Sequence, residues 1–116
     1  MNDELRLRVV FFRTLTGNEP VRDWLKALPV EDRKTIGEDI KTVQFGWPIG
    51  MPVVRKLEPG LWEVLSRLKN RIARIIFTVE DGIMVLLHGF IKKSQKMPQD
   101  DLRLAQNRLA QLRGEK

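Results

Sequence analysis

The side chains in this sequence that could carry out chemistry are mainly arginines and lysines. Among its 116 residues there are 21 Lys and Arg, one His, and no Cys or Tyr. Thiol nucleophiles, disulfides and thiolate metal sites are therefore excluded, and the carboxylates do not recur at the spacing of metal ligands. No glycine-rich loop follows a strand to bind a nucleotide phosphate. Any reaction of this chain is expected to use cationic side chains, without a metal or another cofactor.

The positive charge is concentrated in one part of the chain. Residues 1–54 contain eight Lys/Arg and eight Asp/Glu, whereas residues 55–96 contain nine Lys/Arg and four Asp/Glu. The second stretch thus accounts for most of the net charge of +6. A concentrated positive field favours a polyanionic partner such as nucleic acid, and the alternative is an ordinary solvated surface.

Strand alternation indicates which of these cations share a face. In a strand over residues 61–68, Glu63 and Arg67 lie on the face opposite Trp62. In the next strand Arg74 lies opposite an apolar face, and antiparallel pairing would place it beside Arg67 on the open face of the sheet. Because that face is expected to be open, replacing Arg74 is expected to cost little stability.

A cluster of cations is sufficient for one metal-free reaction. RNA carries its own nucleophile, the 2′-OH, so an enzyme needs only to align it, neutralise the charge that develops on the phosphorane, and move protons. Arginine binds phosphate oxygens through its planar fork, and a lysine crowded by other cations can carry a proton. The residues alone leave open the alternative of a nucleic-acid-binding face without catalysis.

The elements that would position these cations follow from hydrophobic periodicity. Alternation over residues 5–12 predicts a strand. Pro20 begins a short helix, and Pro29 ends it and opens a second helix that stops at Gly46-Trp47-Pro48. Three strands are predicted over residues 61–68, 71–79 and 83–91, and Pro98 precedes a last helix. We therefore predict one α+β domain over residues 1–116, an antiparallel sheet with an N-terminal helical hairpin and a C-terminal helix.

Two other residue types are weaker candidates for a site. His88 stands in an apolar strand, where a lone histidine is more often a hydrogen-bonded core residue than a catalytic one. Trp47, beside Pro48 in a loop, is a candidate for stacking on a base, whereas Trp24 and Trp62 fall on faces predicted to be buried. The charged N-terminus does not resemble a signal peptide, and no apolar run is long enough to span a bilayer, so the cytoplasm is the expected compartment.

Several stretches resemble the phage-derived, HigB-like branch of the RelE/ParE toxin superfamily. They are residues 60–64, 71–77 and 85–96, followed by Pro98 and Ala105, and residues 19–25 resemble the first helix of that family. The most specific part is the Leu-His-Gly-Phe strand that runs into paired lysines. The similarity covers roughly residues 5–112.

This resemblance implies a RelE-like fold and a type II toxin that cuts mRNA in the ribosomal decoding site without a cofactor. It also implies a cognate HigA-like helix-turn-helix antitoxin and no association with membranes. By the resemblance, Arg74, Lys92 and Lys93 are active-face positions and Lys96 contacts phosphate. Together with the strand pattern, the predicted catalytic residues are Arg67, Arg74 and Lys93, and the predicted RNA-binding residues are Arg55, Lys56, Arg71, Lys92 and Lys96, with no metal.

The sequence departs from the family pattern at two points. Members usually carry an arginine directly after the Trp-Glu-Val segment, where this chain has Leu65, and Arg67 is the candidate substitute. The tyrosine that some RelE relatives use is missing. Two other functions therefore stay open: a ParE-like inhibitor of DNA gyrase that does not cut RNA, and a non-catalytic nucleic-acid-binding module.

Overall fold

The computed structural model describes residues 7–92 and 96–114, which form three helices and a five-stranded sheet. The elements, in chain order, are β1 (Arg8–Phe11), α1 (Pro20–Lys26), α2 (Val30–Gly46), β2 (Val54–Glu58), β3 (Leu61–Leu68), β4 (Arg71–Glu80), β5 (Ile83–Lys92) and α3 (Gln99–Leu112). The strand order across the sheet is β1-β5-β4-β3-β2. This architecture confirms the predicted α+β class, with a helical hairpin before the main strands and one helix after them.

The sheet differs from the prediction in two ways. β2 is a strand that the hydrophobic periodicity does not predict; it pairs antiparallel with β3 and contains both Arg55 and Lys56. β1 pairs parallel with β5, so the sheet is mixed and not wholly antiparallel. A parallel pairing requires a long crossover, and here the chain leaves β1 through two helices and three strands before β5 lies beside it.

Turn and helix signals in the sequence explain where the elements begin and end. α1 starts at Pro20, and Pro29 precedes the first residue of α2, so both prolines stand where a missing N–H costs nothing. Asp81 and Gly82 have φ angles of 53° and 75° and form the two-residue turn between β4 and β5. Two positive φ angles match the right-handed twist of a hairpin, and Asp-Gly is a preferred pair there.

Hydrophobic side chains fill both faces of the sheet. On one face α2 contributes Ile36 and Val43, which pack with Ile75 and Phe77 of the sheet. On the other face α3 contributes Ala105 and Leu109 to a second cluster. Burying one large aliphatic or aromatic side chain stabilises a fold by about 1.5–3 kcal/mol, so these two clusters hold the helices against the strands. In the described ranges no helix has the length and hydropathy needed to cross a membrane.

Close packing of α1 against β5 explains why residue 89 is a glycine. A Cβ at Gly89 would lie 2.6 Å from two ring atoms of Trp24, so α1 can approach β5 only because residue 89 has no side chain.

Trp47 is half-buried, with its ring 5.0 Å from that of Trp62 and 5.7 Å from that of Phe77. Trp47, the candidate for stacking on a nucleic-acid base, is therefore part of the core packing.

Candidate nucleic-acid interface

Strand register places two of the predicted catalytic residues on one face. In the β3–β4 ladder Leu65 pairs with Arg74, and Arg67 pairs with Ile72. Residues that pair across antiparallel strands point to the same face, and so do residues two apart on one strand. Arg67 and Arg74 therefore lie on the same face, as diagonal neighbours, which confirms that part of the prediction. α3 packs on the same face of the sheet, against residues such as Leu61 and Ile76 farther along the strands.

Two further predicted residues share this face. Arg55 pairs with Glu63, and Lys92 pairs with Ile72 in the β4–β5 ladder. Since Glu63 is two rows from Arg67 along β3, its partner Arg55 belongs to the same side of the sheet. We call Arg55, Arg67, Arg74 and Lys92 the cationic face.

The four cations differ in their access to solvent. Arg67 is exposed, Lys92 is half-buried, and the Arg55 side chain is 37% exposed. Arg67 and Lys92 flank Ile72 of the central strand, and their backbones are two strand spacings apart, about 10 Å. Side chains of this length can approach a single phosphate group from both sides.

Arg74 is buried, contrary to the prediction from the sequence. Its side chain is 0% exposed and forms an ion pair with Glu63, which is also 0% exposed, so the prediction that it lies on an open surface is wrong. Arg74 Nε donates to Glu63 Oε1, and Nη2 donates to Oε2 at 2.7 Å. Nη1 donates to the carbonyl oxygen of Lys96 at 3.4 Å. Alternation identified the face of Arg74 correctly, but it carries no information about the chain segment that covers it.

Glu63 is the residue that the prediction of the site missed. Besides its contacts with Arg74, its Oε2 accepts a hydrogen bond from Arg55 Nε at 2.8 Å and lies 2.7 Å from Arg55 Nη2. One buried carboxylate thus joins two arginines, and the three side chains together carry one positive charge. The alternation that placed Glu63 on the same face as Arg67 was the available signal.

His88 lies beside the cationic face but is held by α3. Its Nε2 is 2.6 Å from Asp101 Oδ1, and its ring stacks on Phe90 at a centroid distance of 5.4 Å. Phe90 also lies under the Arg74 guanidinium, 5.8 Å from it. These contacts support the interpretation of His88 as a hydrogen-bonded structural residue, since they join the first turn of α3 to β5.

Arg108 is a further cation of α3 with a structural partner. The β4–β5 register shifts between Ile76 and Phe77, which leaves Leu87 without a partner in the ladder. Arg108 Nη1 donates to the Leu87 carbonyl oxygen at 2.8 Å. Burial in this position lowers the pKa of Arg108 below its ordinary value.

The remaining predicted residues do not join the cationic face as a group. Lys56 pairs with Trp62 and Arg71 pairs with Leu68, which places both on the α1–α2 side of the sheet. Arg71 forms an ion pair there with Asp32 of α2. Lys96 lies next to the cationic face, because its carbonyl oxygen accepts from Arg74. Lys93 lies outside the described residues.

No metal site accompanies these cations in the described part of the chain, where no three His, Asp or Glu side chains gather closely enough to hold an ion.

Comparison with curated proteins gives no match. The family model "Phage derived protein Gp49-like (DUF891)" matches residues 23–110, a range that includes β2 to β5 and all four residues of the cationic face. Because this match covers most of the chain, the protein belongs to the phage-derived Gp49-like family.

Proposed function

We propose that this protein is the toxin of a type II toxin–antitoxin system, an endoribonuclease that cuts mRNA on the ribosome in the cytoplasm. The observation that carries the proposal is the cationic face, on which Arg55, Arg67 and Lys92 reach solvent. The resemblance to HigB-like toxins supports it, because two residues of the cationic face, Arg74 and Lys92, lie within the resembling stretches. Membership in a phage-derived family is compatible with such a role.

The proposed reaction needs no group beyond RNA and cationic side chains. The 2′-oxygen attacks the adjacent phosphorus, the bond to the 5′-oxygen of the next nucleotide breaks, and that oxygen leaves with a proton. In this proposal Arg67 neutralises the phosphorane, together with Lys92, which lies on the other side of Ile72. Lys93, which is predicted to be catalytic and follows Lys92 in the sequence, is proposed to carry the proton from the 2′-OH to the leaving 5′-oxygen. The products are a 2′,3′-cyclic phosphate and a 5′-hydroxyl.

Burial changes the role that we propose for Arg74. Its Nε and Nη2 are committed to Glu63 and its Nη1 to the Lys96 carbonyl, so it supports the site from below. Arg67 becomes the proposed phosphorane contact in its place. This assignment keeps the chemistry predicted from the sequence and moves its centre by one row of the sheet.

An antitoxin is the proposed partner. An acidic or amphipathic segment of a HigA-like helix-turn-helix protein would complement the exposed cations by charge. Co-expression of such a protein, encoded by the neighbouring gene, should restore the growth of cells that express the toxin. Persistent growth arrest in the presence of a stable complex would contradict this pairing.

The cleavage experiment uses two lysines on opposite faces as a matched pair. Purified wild-type protein should cut mRNA bound to ribosomes, leave free RNA largely intact, and yield 2′,3′-cyclic phosphate ends. Lys92→Ala should slow single-turnover cleavage markedly, and Arg67→Ala should slow it by roughly 100- to 1000-fold, the usual effect of losing one transition-state donor. Lys56→Ala removes the same charge on the other face and should leave the rate within a factor of about three.

Two results would refute the proposed function. One is a 3′-hydroxyl on the upstream fragment, because the 2′-oxygen then cannot be the nucleophile. The other is an equal loss of rate in Lys92→Ala and Lys56→Ala, because position on the cationic face then has no special effect. Melting curves for each variant would separate a loss of rate from a loss of folded protein.

A non-cleaving inhibitor is the second candidate, and Leu65 is the observation that favours it. Leu65 lies on the cationic face beside Arg74, at the position where HigB-like toxins usually carry an arginine. A face without that arginine could still bind nucleic acid or resemble the gyrase-inhibiting ParE toxins. DNA damage with intact transcripts after induction would support this candidate over the endoribonuclease.

A further inference from the structure

Glu63 is a buried carboxylate whose hydrogen bonds within the described residues all come from two arginines. Oε1 accepts from Arg74, and Oε2 accepts from both Arg74 and Arg55. Arg74 lies beneath the surface at 0% exposure, whereas the Arg55 side chain is 37% exposed. The buried Arg74–Glu63 pair is therefore a rigid support, and Arg55 is the residue of the three that reaches solvent.

The contacts of Arg55 fix the direction of its guanidinium. Glu63 receives the edge formed by Nε and Nη2, at 2.8 Å and 2.7 Å. Because a guanidinium is planar, this contact turns its other edge, formed by the two terminal nitrogens, away from the carboxylate. That edge has the fork geometry that binds two phosphate oxygens at once. Among the described residues, no side chain or carbonyl occupies it.

We propose that Glu63 is a positioning residue that orients Arg55 to bind an RNA phosphate. The inference rests on the proposed function, in that it takes RNA to be the ligand of the cationic face. A long arginine side chain loses rotamer freedom when it binds, and a partner that orders it beforehand reduces that cost. Glu63 thus strengthens RNA binding although its own charge repels RNA.

The sign of one substitution separates positioning from simple electrostatics. Glu63→Gln removes a negative charge next to the RNA face, so Coulomb attraction alone predicts tighter binding. Loss of the oriented Arg55 predicts weaker binding. Glu58→Gln is the matched control, because it makes the same change of charge on the neighbouring strand, where Glu58 accepts hydrogen bonds from Gln106 and does not contact Arg55.

The measurement is the affinity for a single-stranded 2′-O-methyl RNA oligonucleotide, which cannot be cleaved, over a series of salt concentrations. Glu63→Gln should bind roughly threefold to tenfold more weakly than wild type at an unchanged salt slope, because the cation remains but is no longer ordered. Arg55→Ala should also bind more weakly, with a salt slope reduced by about 0.7, since one phosphate contact is lost. The double variant should bind within about twofold of Arg55→Ala, because Glu63 acts through Arg55.

Tighter binding by Glu63→Gln, as in Glu58→Gln, would overturn the inference. Should Glu63→Gln fail to fold, nuclear magnetic resonance of the wild-type protein decides the question. The Arg55 Nε–H should be rigid, whereas that of Arg67, which has no partner among the described residues, should be mobile. Equal mobility would overturn the inference.

The outcomes distinguish this inference from the proposed function. Wild-type protein that leaves ribosome-bound mRNA intact would refute the endoribonuclease, while the oligonucleotide affinities and the arginine mobilities would still test Glu63. Ribosome-dependent cleavage together with a mobile Arg55 would refute only the positioning role.

Discussion

Arg74→Ala is the substitution for which the buried ion pair predicts a large loss of stability. The change removes one partner of a pair in which both side chains are 0% exposed, and it leaves the Glu63 carboxylate in the sheet. Breaking such a pair typically costs about 3–5 kcal/mol. Arg55 keeps its contact with Glu63 at 2.7 Å, which places the expected loss toward the lower end of that range.

This loss is large in relation to the stability of a small domain. Such domains unfold with a free energy of about 5–15 kcal/mol, so about 3 kcal/mol is a substantial fraction of the total. For a chain of this length each kcal/mol lowers the melting temperature by about 4 °C, and the expected fall is therefore at least about 12 °C.

Thermal and urea unfolding followed by circular dichroism would measure this effect. Arg67→Ala is the matched control, because Arg67 is exposed on the same face and its loss should change stability by no more than about 0.5 kcal/mol. The Glu63→Met/Arg74→Met double variant should recover much of the lost stability, since apolar replacements of a buried ion pair are often neutral or stabilising. An Arg74→Ala protein that melts within about 2 °C of wild type would refute the reasoning.

Three further substitutions test the packing and the site. Gly89→Ala would place a Cβ 2.6 Å from the Trp24 ring and should lower stability by about 1–3 kcal/mol in urea unfolding, whereas an unchanged midpoint would contradict the close approach of α1. Thr78→Val removes a buried hydroxyl that has no hydrogen-bond partner in the described residues, so the melting temperature should stay equal or rise; a clear fall would indicate a missed partner. Leu65→Arg introduces the arginine that the HigB resemblance places there and should accelerate single-turnover cleavage in protein that remains folded; no acceleration would show that Arg67 already fills the role.

Much of the fold was predictable because its boundaries depend on local chemistry. Pro20 begins α1 and Pro29 directly precedes α2, and the Asp81-Gly82 turn requires the positive φ angles that those residues tolerate. β2 was missed because it has five residues and an irregular register between Lys56 and Glu58, which disrupts the alternation that reveals a strand. The direction of β1 was not predictable, because alternation is the same in parallel and antiparallel strands.

The face that the candidate site residues share was predictable from the sequence, whereas the burial of each side chain was not. Alternation along β3 and β4 identified the shared face of Arg67 and Arg74, and the register confirms it. The two arginines nevertheless differ completely in burial, because Arg74 lies one row nearer to the segment that enters α3, where the Lys96 carbonyl meets it. Sequence alone cannot distinguish the two positions, since coverage depends on how the last helix crosses the sheet.

Glu63 links these observations. A buried arginine requires a buried partner, because an unpaired charge in the interior is far more costly than a hydrogen-bonded pair. The carboxylate that stabilises Arg74 also binds Arg55, so one residue connects the stability of the sheet to the orientation of an exposed cation. The cationic face therefore contains one buried, supporting arginine and three cations that reach solvent, and a count of arginines on a strand face overestimates the number of cations open to a ligand.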